Sequence, residues 1–172
     1  DALPISKSQS KLQEVISPIF MKIERINVNA VVYSTEDMEK VGEAIATLFP
    51  FEFEIEVTDA TGHYGNPLKF LEVKLTKKRE IQEFLKYLLS SLSEEDIQYL
   101  LETLEDRVDE EGVLHLRIDK QRAYLGELQI VEGGDAIVVR IKIVTYPAKR
   151  EKIIQAVRDI IQTNVFSQNT PG

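Results

Sequence analysis

Strict two-residue alternation of apolar and polar side chains, repeated in short segments between stretches of helical period, narrows the folds open to this chain more than any other feature. In residues 22–33, Ile26, Val28, Ala30 and Val32 alternate with Arg25, Asn27, Asn29 and Val31, as in a strand buried on one face. Residues 51–57 set Phe51, Phe53, Ile55 and Val57 against Glu52, Glu54 and Glu56. A turn-rich loop from Asp59 to Pro67 then leads to a strand over 68–75. Residues 113–119 place Leu114, Leu116 and Ile118 inward. Gly133-Gly134 predicts a hairpin turn between strands at 127–131 and 136–145.

The intervening segments carry the 3.6-residue period. Ser34 or Thr35 is expected to cap a helix whose buried stripe is Met38, Val41, Ile45 and Leu48, with Pro50 closing it. Ile81, Phe84, Leu85, Leu88 and Leu92 mark a second helix. Ser93 with Asp96 gives a capping-box-like start to a third, with Ile97, Leu100, Leu101 and Leu104 inside. Pro147 suits the first turn of a last helix burying Ile153, Ile154, Val157, Ile160 and Ile161. The order β-α-β-β-α-α-β-β-β-α, with clean alternation, predicts an α+β fold of two layers, a mainly antiparallel sheet with helices on one face. Residues 21–166 form one expected domain. Residues 1–20 read as a peripheral segment, with Leu12, Val15, Ile16 and Ile19 on a short amphipathic helix and Met21 as a natural start. Residues 167–172 read as a disordered tail.

Length and composition fit a single globular domain, since a chain of 172 residues can bury roughly two-thirds of its unfolded surface. No apolar run approaches the roughly 20 residues of a membrane span. Cysteine is absent, which excludes disulfides and thiolate zinc sites, and a cytoplasmic location is expected. Neither a cofactor nor a metal is implied.

The net charge of −8 is unevenly spread. Residues 94–111 hold nine acids and one base, Arg107, whereas residues 113–160 hold nine bases and six acids. Basic side chains gather at two connections, Lys120 and Arg122 at a tight turn, Lys149 and Arg150 after Pro147. On the strands, Arg140 and Lys142 lie two apart and therefore share a face. With Arg25, Asn27, Asn29, Glu52, Glu54, Glu56, Glu72, Lys74, His115, Arg117 and Gln129 they would line the sheet face away from the helices. Cross-strand pairing explains Glu52, Glu54, Glu56 and Lys74. Arg117, Arg140 and Lys142 have few acids on their own hairpin and are candidates for phosphate contact. Lys77-Lys78-Arg79 opens a helix against its macrodipole, and free backbone N–H groups beside Lys78 would suit a phosphate. Tyr124 and Tyr146 lie near the basic turn and the last strand's end; each fits a core tyrosine with a wet hydroxyl, and Tyr124 is also a candidate for base stacking.

Catalytic signatures are sparse. His63 and His115 are far apart in sequence, and no metal-binding His spacing, phosphate-binding Gly loop or nucleophile elbow is present. Gly62-His-Tyr-Gly-Asn-Pro67 is the single loop of mixed functional groups, and a β-hairpin connection accounts for it. A hydrolase using His63 is the weakest of the functional readings, and the protein is expected not to be an enzyme.

The run from Leu114 to Glu127, LHLRIDKQRAYLGE, resembles an archaeal family of small predicted RNA-binding proteins, often described as predicted exosome subunits. Gly133-Gly134-Asp-Ala-Ile-Val-Val-Arg-Ile-Lys-Ile, Tyr146-Pro-Ala-Lys-Arg150, Ser34-Thr-Glu-Asp-Met-Glu-Lys-Val41, Leu48-Phe-Pro50 and Gly62-His-Tyr-Gly-Asn-Pro67 belong to the same resemblance, which spans about residues 22–162. It implies a fold like ribosomal protein L5, RNA binding, and exosome- or ribosome-related protein partners. It carries no catalytic set.

The leading expectation is a non-catalytic protein that binds RNA, structured rather than read by sequence. The contacts would come from Lys120, Arg122, Arg140, Lys142, Lys149 and Arg150, with Arg117 and Lys78 in support and Tyr124 stacking, all converging on one patch. The alternative is an interaction subunit that docks a basic protein through the acidic helix 94–111.

Overall fold

The computed structural model describes residues 20–169, with side chains over 21–164; the segment before residue 20 and residues 170–172 lie outside the described residues, as does the helix expected at Leu12–Ile19. The strands are β1 (Phe20–Val32), β2 (Glu56–Thr61), β3 (Pro67–Leu75), β4 (Val113–Asp119) and β5 (Ala136–Tyr146). The helices are α1 (Met38–Ala46), α2 (Lys78–Ser91), α3 (Glu94–Glu102), the single turn α4 (Leu104–Arg107), the short α5 (Lys120–Tyr124) and α6 (Arg150–Asn169). Every strand pair is antiparallel, in the order β2-β3-β1-β5-β4. This is the expected two-layer α+β fold.

Register explains why one face is sealed. Ile26 lies opposite Leu75 and Ile141, and Val28 opposite Val73 and Val139. These apolar positions meet Val41 and Ile45 of α1, Phe84 and Leu88 of α2, and Ile153, Val157 and Ile161 of α6 in one continuous core. Each such side chain, fully buried, contributes about 1.5–3 kcal/mol relative to an exposed one, so the two-residue period of β1 and β5 commits the sheet to a single orientation.

Several local expectations are corrected. Residues 51–55 are not a strand. Their alternation is real, but Phe53 stacks on Phe49 at 4.2 Å and Phe51 meets it edge-on. The segment thus seals the end of the core instead of pairing, and β2 begins only at Glu56, near the end of the expected strand, and runs to Thr61 inside the expected loop. The cap of α1 is Asp37, whose carboxylate accepts from Glu39 N–H at 3.0 Å; Ser34 and Thr35 lie in the preceding turn, and Met38 is exposed. Residues 127–131 form no strand either. They follow the outer edge of β4, where Asp119 N–H donates to Gln129 and Val131 N–H to Arg117, while Ile130 enters the core. Gly133-Gly134 therefore does not join paired strands. The tight turn expected at Lys120 is α5, capped by Asp119. Pro147, preceded by a cis peptide bond, lies ahead of α6 rather than in its first turn, and α6 extends into the segment read as tail.

Ser93 does cap α3, accepting from Asp96 N–H at 3.0 Å. The Asp96 carboxylate turns elsewhere and accepts from Ile130 N–H.

Gly112 stands where the acidic segment enters β4. Its φ is +84°, and an added Cβ would lie 2.8 Å from the Ile143 carbonyl oxygen and 2.9 Å from Ile153 Cδ1. Left-handed strain and overpacking then act together, so Gly112→Ala is expected to destabilise the fold by about 2–4 kcal/mol. Urea unfolding at equilibrium measures it; a loss below about 1 kcal/mol would show that this junction relaxes freely.

Candidate nucleic-acid interface

The sheet face opposite the helices is uncovered among the described residues. Its central row runs Lys74 (β3), Asn27 (β1), Arg140 (β5) and His115 (β4), each Cα opposite the next. In the row beside it, Arg25 lies opposite Lys142. Between Ile23 and Arg25 the register of β1 shifts, a bulge that inserts one extra residue. Lys22 consequently lies opposite Val144, on the same face as Arg25 and Lys142. Uninterrupted alternation would put Lys22 and Arg25 on opposite faces.

The carboxylates on this surface are occupied, and Glu56, opposite Glu72, lies 3.9 Å from Lys74 Nζ. Glu72 accepts from the Asn27 amide at 2.9 Å and lies 3.4 Å from Lys74 Nζ. Glu24, in the bulge, lies 3.5 Å from Arg25. Asp109 accepts from His115 Nε2 at 2.8 Å. Burial pushes the Asp109 carboxyl up, but hydrogen bonds from His115 and from the Val113 and Glu111 N–H groups, with attraction to His115, outweigh it and hold the carboxyl below its ordinary value. Lys142 donates to the Glu111 carbonyl and, among the described residues, to no carboxylate. Arg140 is exposed, with neither a hydrogen bond nor an ion pair among the described residues; its cross-strand neighbours are an amide and an imidazole. Such a charge attracts any polyanion laid across the sheet without first breaking an internal pair.

The other expected contact residues are dispersed. Arg117 is on the same face, opposite Val138, and donates to the Gly134 carbonyl; its Nε is buried without a partner. Asp119 pairs with Ala136 at one end of the sheet, so Lys120, Arg122 and Tyr124 follow there, whereas Lys149 and Arg150 follow Tyr146 at the other, roughly 30 Å away at strand rise. The two basic connections therefore do not form one patch. Arg122 pairs with Glu127 at 3.1 Å. Arg150 donates to the carbonyls of Val108 and Glu105, closing α4. Lys149 and Lys78 are exposed, Lys78 in the helical layer.

Lys120 is buried rather than presented to solvent. It is 2 % exposed, and its ammonium donates to Val31 O at 2.8 Å and lies 2.9 Å from Glu36 and 2.6 Å from Asp135 carboxylate oxygens. All three N–H donors are satisfied. This inward turn of Glu36 also explains why α1 starts after it.

The helical part of the acidic segment belongs to the other side. α3 and α4 pack on α6, Arg107 is buried against Glu132 and Thr103, and several acids serve local contacts, including Asp96 and Asp109. The acids of α3 and α4 thus lie in the helical layer, while the carboxylates on the open face are paired with its cations and with His115. Among the described residues, no group of three or more His, Asp or Glu side chains is placed to hold a metal, and no helix is long and apolar enough to cross a membrane.

Sequence reasoning missed Lys22 and placed Arg25 and Lys74 on the face without counting them as contacts. Only pairing could reveal the bulge that brings Lys22 round.

A family model described as RNA binding matches residues 25–143. The chain is 42% identical over 147 residues to the RNA-binding protein PAB1135 of Pyrococcus abyssi, covering 83% of this chain and 96% of that protein. It is 35% identical over 144 residues to the uncharacterised protein MJ0213 of Methanocaldococcus jannaschii, covering 78% and 95%. Its fold is similar to the crystal structure of protein AF2318 from Archaeoglobus fulgidus, a DUF54 protein, with a TM-score of 0.76 and 62% identity over 80% of this chain and 99% of that one.

Removing the Lys120 ammonium would leave two partly buried carboxylates facing each other. Lys120→Ala is expected to lower unfolding free energy by about 2–4 kcal/mol, read by chemical denaturation. Wild-type stability in that variant would show that the two carboxylates are relieved by solvent alone.

Proposed function

We propose, from the premise that this chain belongs to the RNA-binding DUF54/UPF0201 family, that it holds structured RNA by its phosphates across the open face of the sheet. Lys22, Arg25, Lys74, Arg140 and Lys142 make the contacts, with Arg117 at the border. The observation that carries this is Arg140, exposed on the open face without a partner among the described residues, in the row next to the Arg25–Lys142 pair.

The chemistry of that face favours backbone contact over base reading. Its aromatic rings among the described strand positions are Phe70, half-buried opposite Val31, and Tyr146, exposed opposite Phe20; they stand at opposite ends of β1, so a continuous platform of rings for successive unpaired bases is lacking there. A flat, cationic surface suits the wide, shallow minor groove and flanking phosphates of an A-form helix, which proteins read by shape. Asn27 sets an amide beside the cations and already donates to Glu72, while Asn29 is buried and donates to Asn27. The protein is read as a binder, since cations and amides on a rigid sheet orient a polyanion without needing to transform it. Of the acidic segment only its end reaches this face, where Asp109 accepts from His115 and the Glu111 carbonyl accepts from Lys142.

Each phosphate neutralised on a duplex releases counterions worth a log–log salt slope of about −0.9. Arg140→Glu with Lys142→Glu should weaken binding to a 20-base-pair RNA duplex by more than tenfold and flatten the slope by about 2. Lys86→Glu, on the exposed side of α2, should change little. Fluorescence anisotropy at two or more salt concentrations checks this; wild-type affinity in a folded double variant would remove the proposed interface.

A further inference from the structure

Between α1 and α5 lies a cleft of about 320 Å³, bordered by Thr35, Lys40, Gln121 and Tyr124 and floored by Lys120. That volume is at the small end of ligand pockets. The floor is rigid, because the Lys120 ammonium is locked between Val31, Glu36 and Asp135. Its charge is spent internally, so the cleft is not built for a free phosphate. What remains available is a ring, polar edges, the apolar Val41 and Ala44, and the Asp37 carboxylate, which accepts from Glu39 N–H. The Tyr124 ring is 40 % exposed, and Thr35 and Gln121 make no side-chain hydrogen bond among the described residues. Lys40 Nζ sits 5.8 Å from the Tyr124 centroid, an exposed cation–π contact that a flat ligand can displace.

We propose that this cleft takes one unpaired nucleobase of the bound RNA, an inference that rests on the RNA-binding reading. The base stacks on Tyr124, its hydrogen-bonding edge meets Gln121 and Thr35, and Lys40 swings from the ring to the accompanying phosphate. The cleft is physically joined to the cationic face. Arg117, at the border of that face, donates to the Gly134 carbonyl, and the next side chain, Asp135, holds Lys120. An RNA helix lying over the sheet and carrying a bulged nucleotide at this end would reach both surfaces. The substrate class is then a duplex with an unpaired base rather than a continuous helix.

The test compares two RNA duplexes, one fully paired and one with a single bulged 2-aminopurine. Wild-type protein should bind the bulged duplex about tenfold more tightly, the scale of one base–aromatic stack, and should alter the fluorescence of the probe base. Tyr124→Ala should erase that preference while leaving affinity for the paired duplex unchanged, and Tyr124→Phe should keep it. Unaltered thermal unfolding confirms that each variant is folded. Equal affinity of the wild type for both duplexes, or a preference that survives Tyr124→Ala, overturns the cleft assignment while leaving the sheet interface standing. Binding of neither duplex overturns both.

Discussion

The pairing of β1 with β5 is the interaction on which the rest of the molecule depends. It sets Ile26 against Ile141 and Val28 against Val139 on one side, and Asn27 against Arg140 and Arg25 against Lys142 on the other. Apolar burial fixes the first set, and a slip of one residue would exchange the two faces. The cationic rows are therefore displayed as a consequence of core formation. A sheet built this way needs no separate device to hold its charges apart, because the pleat spaces them.

Around that pairing the charges are sorted by layer. Acids concentrate on α3 and α4, which pack on α6, and on the loop that follows, where Asp109 meets His115, while exposed cations line the uncovered side of the sheet. An overall charge of −8 is thus compatible with a basic surface, since fields fade over about 8–10 Å in physiological salt. The acidic side would also turn away from an approaching polyanion and so favour one orientation of encounter. Lys120 takes a different part. Its ammonium ties the end of β1, the turn before α1 and the turn before β5 together, holding a base-sized cleft open beside the sheet.

Much of the fold was legible because burial leaves a period in the sequence. β1, β3, β4 and the long stripes of α2 and α6 follow directly from it. Where the period misled, tertiary contacts had another use for it: Phe51 and Phe53 alternate as a strand does, yet stack on Phe49. Gly133-Gly134 looked like a hairpin turn, but the free edge of β4 recruited residues 127–131 without making them a strand. For the interface, Arg140, Lys142 and Arg117 were readable because alternation assigns a face. Lys120 was not, since a buried and an exposed lysine look alike in sequence, and its partners Glu36 and Asp135 are distant along the chain. Arg150 misled similarly, having become a cap for α4. Lys22 required knowledge of a bulge.

The most direct measurement of the central claim is amide chemical-shift mapping of the protein titrated with an RNA duplex. Shifts are expected to concentrate at Arg25, Asn27, Arg140 and Lys142 and across the neighbouring positions of β3 and β4, with α3 and α4 silent. Shifts centred on α3 and α4, with β1 and β5 unmoved, would contradict that claim.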